Sequence, residues 1–339
     1  MSILNVRRLL IVAALFAVSG CSGNNLPSSL PAHQDTSSQA LRPGVRTPRS
    51  LFVHTGVPFL PRESRRIQNS ARPDAVYPTT SLLLFEADSD LQQVAIYKHK
   101  NIPANSAPIA TITDGIVCPT GMAMDKAGRL YVTNNCGEST ITEYPKGHTH
   151  HTVTITNGIS NPLGAAIDKN GTLYVSNFPA SITEYPFHTT TPSLTITGGG
   201  LTNPFGLAID KNGNLFVADF GASQVFEIAA GSSTVVPLNL QDLTEPLGVA
   251  FDNGGNLWVT DGAGDKVNVY PPGSTTPSHT ITAGYTFPYA IGFDPQGSGA
   301  ISNTNSPVAI YNYKPGQFTS YATLTNDVAL PTGLLLRTP

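Results

Sequence analysis

Apolar and β-branched residues in this chain come in short runs that alternate with polar ones, punctuated by Gly, Pro, Asn and Asp. The stretch Pro204 to Asp219, PFGLAIDKNGNLFVAD, shows the unit most clearly. Gly206 to Asp210 reads as a short apolar strand. Lys211-Asn212-Gly213 reads as a tight turn, because glycine takes positive φ without steric cost. Leu215 to Ala218 is a second strand, closed by Asp219. Two further runs follow, QVFEI from Gln224 and STVVPLNL from Ser233, rich in the Val, Ile, Thr and aromatic residues that suit half-buried strands. Beyond the N-terminal targeting segment no stretch carries a long 3.6-residue apolar period, so the pattern predicts almost no helix.

The unit repeats. Copies start at Pro119, Pro162, Pro246, Pro288 and Pro331, and the equivalent residues Gly121, Gly164, Gly206, Gly248, Ala290 and Gly333 lie 43, 42, 42, 42 and 43 residues apart. Four short strands in about 40–45 residues is the period of a propeller blade. The two ends of the repeat region complement each other. Leu84-Phe-Glu-Ala-Asp88 aligns without a gap on Leu215-Phe-Val-Ala-Asp219, so residues 82–113 supply the second to fourth strands of a blade that lacks its first. Residues 333–337 are a first strand with nothing after it. Joining them closes a ring and removes open sheet edges. The expectation is an all-β fold: a six-bladed β-propeller of four-stranded blades over residues 81–339, closed by the C-terminal strand joining the N-terminal blade.

The P-x-G-x-A-x-D-x-x-G-x-L-Y-V-x-D wording of these repeats resembles NHL-type repeats of six-bladed propellers. The resemblance covers residues 81–339 and speaks to fold. It leaves function open, since such propellers bind protein, RNA or small ligands and some are enzymes.

Residues 1–20 read as a targeting segment. Arg7 and Arg8 precede an apolar run, Leu9 to Val18, of signal-peptide length. Val18-Ser-Gly-Cys21 resembles a bacterial lipobox, which implies that Cys21 becomes the lipidated first residue of a protein anchored in the cell envelope. Ser22 after the cysteine resembles outer-membrane sorting, should the host be Gram-negative. Residues 21–80 then form a disordered tether rich in Pro, Ser and Arg. It holds seven Arg and no Lys against Asp35, Glu63 and Asp74, whereas residues 81–339 hold 10 basic and 19 acidic residues. An acidic propeller argues against nucleic acid as a partner. The partners expected are the membrane, through the lipid anchor, and a protein, peptide or sugar bound by a monomeric propeller.

Candidate chemistry is sparse. Cys118 precedes a first strand and Cys136 follows the second strand of the same blade, a disulfide candidate in an oxidising compartment. His99, His148, His150, His151, His188 and His279 fall in or near third-to-fourth strand links, and the His148–His151 loop reads as exposed polar surface rather than a metal site. Asp125, Asp168, Asp210, Asp252 and Asp294 recur at hairpins as turn caps. The second strands end in Asp88, Asn134, Asn177, Asp219, Asp261 and Asn303, on the face where the links into the next blade gather. Asp90, Asp114, Glu138, Asp242, Glu245, Asp265 and Asp327 share that face, as do aromatic residues including Phe205 and Tyr289. The candidate ligand face is therefore Asp88, Asn134, Asn177, Phe205, Asp219, Asp261, Tyr289 and Asn303. Such an acidic mouth suits a metal ion, a cationic ligand or a basic peptide, and its aromatic surface suits sugar or peptide contact.

Catalytic residues are not identified. No Gly-x-Ser-x-Gly, phosphate-loop or His-Glu-x-x-His motif occurs. Gluconolactonase-like hydrolases resemble the chain in fold, and the resemblance implies metal ligands just before the first-strand glycine. Thr120, Leu163, Phe205, Leu247, Tyr289 and Thr332 stand there instead. Virginiamycin B lyase is similar in repeat wording, which implies a histidine base on the ligand face, and no histidine is found in those loops. The expectation is a tethered extracytoplasmic binding propeller with no resident cofactor. The alternatives are a hydrolase or lyase of these kinds using Ca²⁺ or another divalent metal, and a scaffold for an envelope complex.

Overall fold

The computed structural model describes residues 76–99, 106–304, 309–314, 316–320, 322–325 and 327–337. The targeting segment, Cys21 and the tether up to residue 75 lie outside the described residues. The described residues form strands, turns and bends, without helix.

The first blade contains β1 (Leu83–Asp88), β2 (Gln93–Lys98) and β3 (Ala110–Ile112). The second is β4 (Pro119–Met124), β5 (Leu130–Asn134), β6 (Thr140–Tyr144) and β7 (Val153–Ile155). The third is β8 (Pro162–Ile167), β9 (Leu173–Asn177), β10 (Ser181–Tyr185) and β11 (Leu194–Ile196). The fourth is β12 (Pro204–Ile209), β13 (Leu215–Asp219), β14 (Gln224–Ile228) and β15 (Val235–Pro237). The fifth is β16 (Pro246–Phe251), β17 (Leu257–Asp261), β18 (Lys266–Tyr270) and β19 (His279–Ile281). The sixth is β20 (Pro288–Phe293), β21 (Gly299–Asn303), β22 (Ala309–Tyr313) and β23 (Ala322–Leu324). The last strand, β24 (Pro331–Arg337), pairs antiparallel with β1 and completes the first blade in the order β24-β1-β2-β3. The molecule is a six-bladed β-propeller closed by its C-terminal strand.

The propeller framework begins before residue 81, where the sequence placed the end of the tether. Tyr77 donates its N–H to Gly147 O at 2.9 Å and is 2% exposed, its ring edge-on to Phe85 at 5.5 Å. One large aromatic side chain buried against β1 outweighs the polar composition around it.

Each inner strand opens with proline and a bulge. Pro204 faces Asp219 and Leu207 faces Val217, so Phe205 and Gly206 together oppose Ala218 alone. The same shift occurs at Pro119, Pro162, Pro246 and Pro288, and at Pro331 of β24. Proline suits this first position, having no N–H to lose from the ladder. In four blades a hydroxyl on the second strand fills the bulge. Ser176 Oγ accepts Gly164 N–H at 2.8 Å and donates to Phe205 O of the next blade at 2.5 Å, and Thr260 does the same with Gly248 and Tyr289. Thr133 and Ser302 accept Gly121 N–H and Ala290 N–H. Ala87 and Ala218 stand there in the remaining blades. Ser176→Ala is expected to cost about 1–2 kcal/mol, since it strands a buried donor and a buried acceptor. Urea unfolding measures this, and an unchanged midpoint would count against the stitch.

Blades pack face to face through apolar residues. The second-strand position occupied by Val132, Val175, Val217, Val259 and Ile301 is 0% exposed in each blade. In the first blade that position is Glu86, also 0% exposed.

Candidate ligand site at the propeller axis

The residues that end the second strands are structural clamps. Asp219 Oδ2 accepts Thr202 N–H at 2.7 Å, while its Oδ1 accepts the Thr202 hydroxyl, Asn203 N–H and Ala222 N–H at 2.7–3.0 Å. Asp261 accepts Thr244, Glu245 and Gly264 N–H in the same manner. Asp88 accepts Asp90 and Leu91 N–H on one oxygen and Ala329 and Leu330 N–H on the other, tying the C-terminal strand into the ring. Asn134, Asn177 and Asn303 accept Val117, Ser160 and Thr286 N–H through their amide oxygens. All six side chains are at most 1% exposed. Their acceptor atoms satisfy the loop that enters each inner strand, where charge-assisted bonds are strongest. On the candidate ligand face these six side chains therefore spend their acceptor atoms on the backbone.

Phe205 and Tyr289 are likewise inside. Residues that the bulges turn towards the axis meet there and close it. Leu163, Phe205, Leu247, Phe287 and Tyr289 form one buried cluster, with Phe178 and Phe220 partly buried against it. Phe205 lies edge-on to Tyr289 at 5.1 Å, across the intervening fifth blade. Thr120 and Thr332 complete the set from the other side. Thr120 Oγ1 donates to Pro162 O at 2.9 Å and Thr332 Oγ1 to Pro119 O at 2.5 Å. The six positions where a gluconolactonase-like metal site would need ligands thus hold apolar side chains, bonded hydroxyls and Tyr289.

Glu245, one of the acidic residues that the sequence assigns to this face, is the functional candidate. It lies in the loop before β16, its N–H on Asp261 Oδ1 at 2.7 Å and its carbonyl accepting Gly262 N–H at 2.9 Å. The side chain is half-buried and Oε1 has no hydrogen-bond partner; the Tyr289 hydroxyl is also buried and unpartnered. Burial, with the nearby Asp261 charge, pushes the Glu245 carboxyl up to about 7. Tyr289 is held far above the ordinary phenol range by burial and then by the Glu245 charge. Acidity elsewhere on this face is partly neutralised. Lys266 Nζ pairs with Asp242 and lies 3.8 Å from Asp261 Oδ2.

Cys118 and Cys136 are joined by a disulfide with Cα atoms 5.4 Å apart, pinning the loop into β4 beside the end of β5. In the His148–His151 loop, His151 Nδ1 lies 2.7 Å and His150 Nδ1 4.0 Å from Asp114 Oδ2.

No protein-family model matches the chain, and no curated protein gives a significant match. Solved structures do match in fold. A nidogen/laminin complex structure contains a chain 17% identical, with TM-score 0.65, covering 76% of this chain and 98% of its own. A protein of unknown function from Bacteroides caccae is 15% identical, with TM-score 0.60, covering 76% of this chain and 99% of its own. The WD40 propeller domain of Doa1 is 10% identical, with TM-score 0.54, over 69% and 75%. At these identities the likeness shows the propeller fold.

Proposed function

We propose that this chain is an exported, lipid-anchored propeller that binds a cationic ligand, an amine or a basic peptide, at the axial end where its inner-strand loops converge. The NHL-type wording of the repeats and the Cys21 signal belong to this reading, with Cys21 as the membrane anchor and residues 21–75 as a basic tether. Lipidation at Cys21 would place the propeller on the envelope, outside the cytoplasm.

One observation carries the ligand class. Glu245 is a half-buried carboxyl with an unpartnered oxygen, and its charge acts on the unpartnered phenol of Tyr289 in the axial cluster, against which the rings of Phe178 and Phe220 are partly buried. An ammonium group satisfies the carboxylate and gains from aromatic faces. The test is a thermal-shift panel on the full chain with alkylamines, lysine peptides and neutral sugars. An amine or lysine peptide should raise the melting temperature by mass action. Glu245→Gln should weaken that probe about tenfold or more, the loss of one charge-assisted bond. Binding should fade as pH falls through 7, because the carboxyl takes up a proton there. A shift with sugars alone, indifferent to Glu245→Gln, would overturn the cationic reading; no shift with any probe would overturn the site.

A carboxyl near 7 also fits general acid–base work, and this favours the hydrolase or lyase alternative over a passive scaffold. Turnover of a lactone or ester probe, abolished by Glu245→Gln, would support that alternative.

A further inference from the structure

The hairpin aspartates follow one rule in five blades and depart from it in one respect. Asp125, Asp168, Asp210, Asp252 and Asp294 each cap their turn, Oδ1 accepting two backbone N–H groups at 2.8–2.9 Å. In four blades Oδ2 takes a side-chain donor: Arg129, Asn170, Asn212 with Asn214, or Asn256 with Trp258. In the sixth blade Ser298 stands in the place of Arg129 and Ala300 in the place of Trp258. Asp294 is 3% exposed, and its Oδ2 is buried without a partner.

The second blade shows what this position holds. Arg129 Nε lies 2.7 Å from Asp125 Oδ2 and 3.8 Å from Glu143 Oε1 on β6. The third blade covers that cation with residues just past Tyr185, the Phe187 ring 4.7 Å from the guanidinium carbon and His188 Nε2 2.7 Å from Nη1. The corresponding residues of the sixth blade are Asp294 and Asn312, and the cover comes from the first blade across the ring closure. It is His99, two residues past Tyr97 as Phe187 is two past Tyr185. His99 is 2% exposed and Asn312 is 0% exposed; His99 Nε2 and both amide atoms of Asn312 are buried without a hydrogen bond of good geometry. Asn312 lies within hydrogen-bonding reach of the imidazole, and the Asp294 charge acts on it.

We propose that the seam between the sixth and first blades binds a divalent transition-metal ion through His99 Nε2, Asp294 Oδ2 and Asn312 Oδ1. One imidazole nitrogen with two oxygens suits zinc or a similar ion rather than calcium, which takes oxygen alone. Among the described residues no three His, Cys, Asp or Glu side chains converge; here the third donor is an amide. Arg337 at the end of β24 feels the Asp294 charge and is the chain's own competing cation. An ion held between the two blades would join the chain ends that close the ring.

The experiment is calorimetric titration of the chelator-treated full chain with Zn²⁺, with Co²⁺ absorption as a second readout. The expected result is one equivalent that persists in a His150→Gln/His151→Gln variant. His99→Phe, which copies Phe187, should weaken it at least tenfold, as should Asp294→Asn, while circular dichroism shows both variants folded. Should His99→Phe fail to fold, Asp294→Asn decides. No binding, binding unchanged in these variants, or binding lost with His150 and His151 would overturn the proposal.

Discussion

Replacing Glu86 with valine is expected to stabilise the chain by about 1–4 kcal/mol at pH 8, the range in which packed apolar residues outdo buried ionic ones. The reason is the repeat itself. Five blades place Val or Ile at this position, and every one is fully buried. Glu86 is equally buried, in the seam that closes the ring, and neither of its carboxyl oxygens has a hydrogen-bond partner. The carboxyl is held well above the ordinary range, by burial first and then by the charge and contact of Asp88. The groups facing it offer no compensation. Asp88 is saturated with backbone N–H bonds, and the Tyr97 hydroxyl is itself unpartnered and raised by burial and by the charges of Glu86, Asp327 and Asp88.

The sign of the pH dependence follows from linkage. The native state keeps the Glu86 proton at a pH where the unfolded chain has released it. Stability is therefore greatest below the unfolded carboxyl value and falls as pH rises, until the native carboxyl ionises. Glu86→Val should remove that slope, and Glu86→Gln should remove it while leaving a buried amide to satisfy. Melting temperatures between pH 5 and pH 9 test both statements. A valine variant no more stable than wild type at pH 8, or one with the same pH slope, would show that the carboxyl has partners the geometry does not reveal.

The fold was legible because its markers are local and periodic. Pro, Gly and Asp recur at fixed offsets of 42 or 43 residues, and LFEAD repeats LFVAD closely enough to identify the split blade. That same alignment sets Glu86 against Val217; only the packing of the blades turns this difference into a carboxyl inside a seam. The axial site was half legible. Sequence order brings Asp219 and its counterparts to one face. Their carboxylates and amides then turn back onto N–H groups sixteen or seventeen residues earlier, a pairing fixed by the bulge and the incoming loop. Glu245 belongs to no motif. Its shifted carboxyl arises from burial and then from the Asp261 charge, and burial is set only once the loops have folded together. His99, Asp294 and Asn312 are harder still, since they meet only after the two ends of the chain have joined.

Gly164→Ala is expected to destabilise the propeller by about 3 kcal/mol or more, the upper end for forcing a methyl group into a packed interior. A Cβ on Gly164 would lie 2.2 Å from Phe205 O and 3.0 Å from Ser176 Oγ. The obstacle is backbone rather than a side chain that could rotate away. The glycine is needed for close approach: no positive φ is involved, and the inner strand of each blade lies against the carbonyl of the next. Gly121, Gly206, Gly248 and Gly333 meet Leu163 O, Leu247 O, Tyr289 O and Thr120 O at 2.4–2.7 Å in the same construction. Adding the methyl must push neighbouring blades apart, and a closed ring cannot widen one seam without disturbing the others. It would also shift Phe205 in the axial cluster, so amine binding at Glu245 should weaken along with stability. The internal control is Ala290, where the sixth blade already carries a methyl at this position. Ala290→Gly should change stability by no more than about 1 kcal/mol, the backbone-entropy cost of glycine. Urea unfolding of the two variants side by side separates crowding from entropy, and equal midpoints would mean that the inner strands are free to move apart.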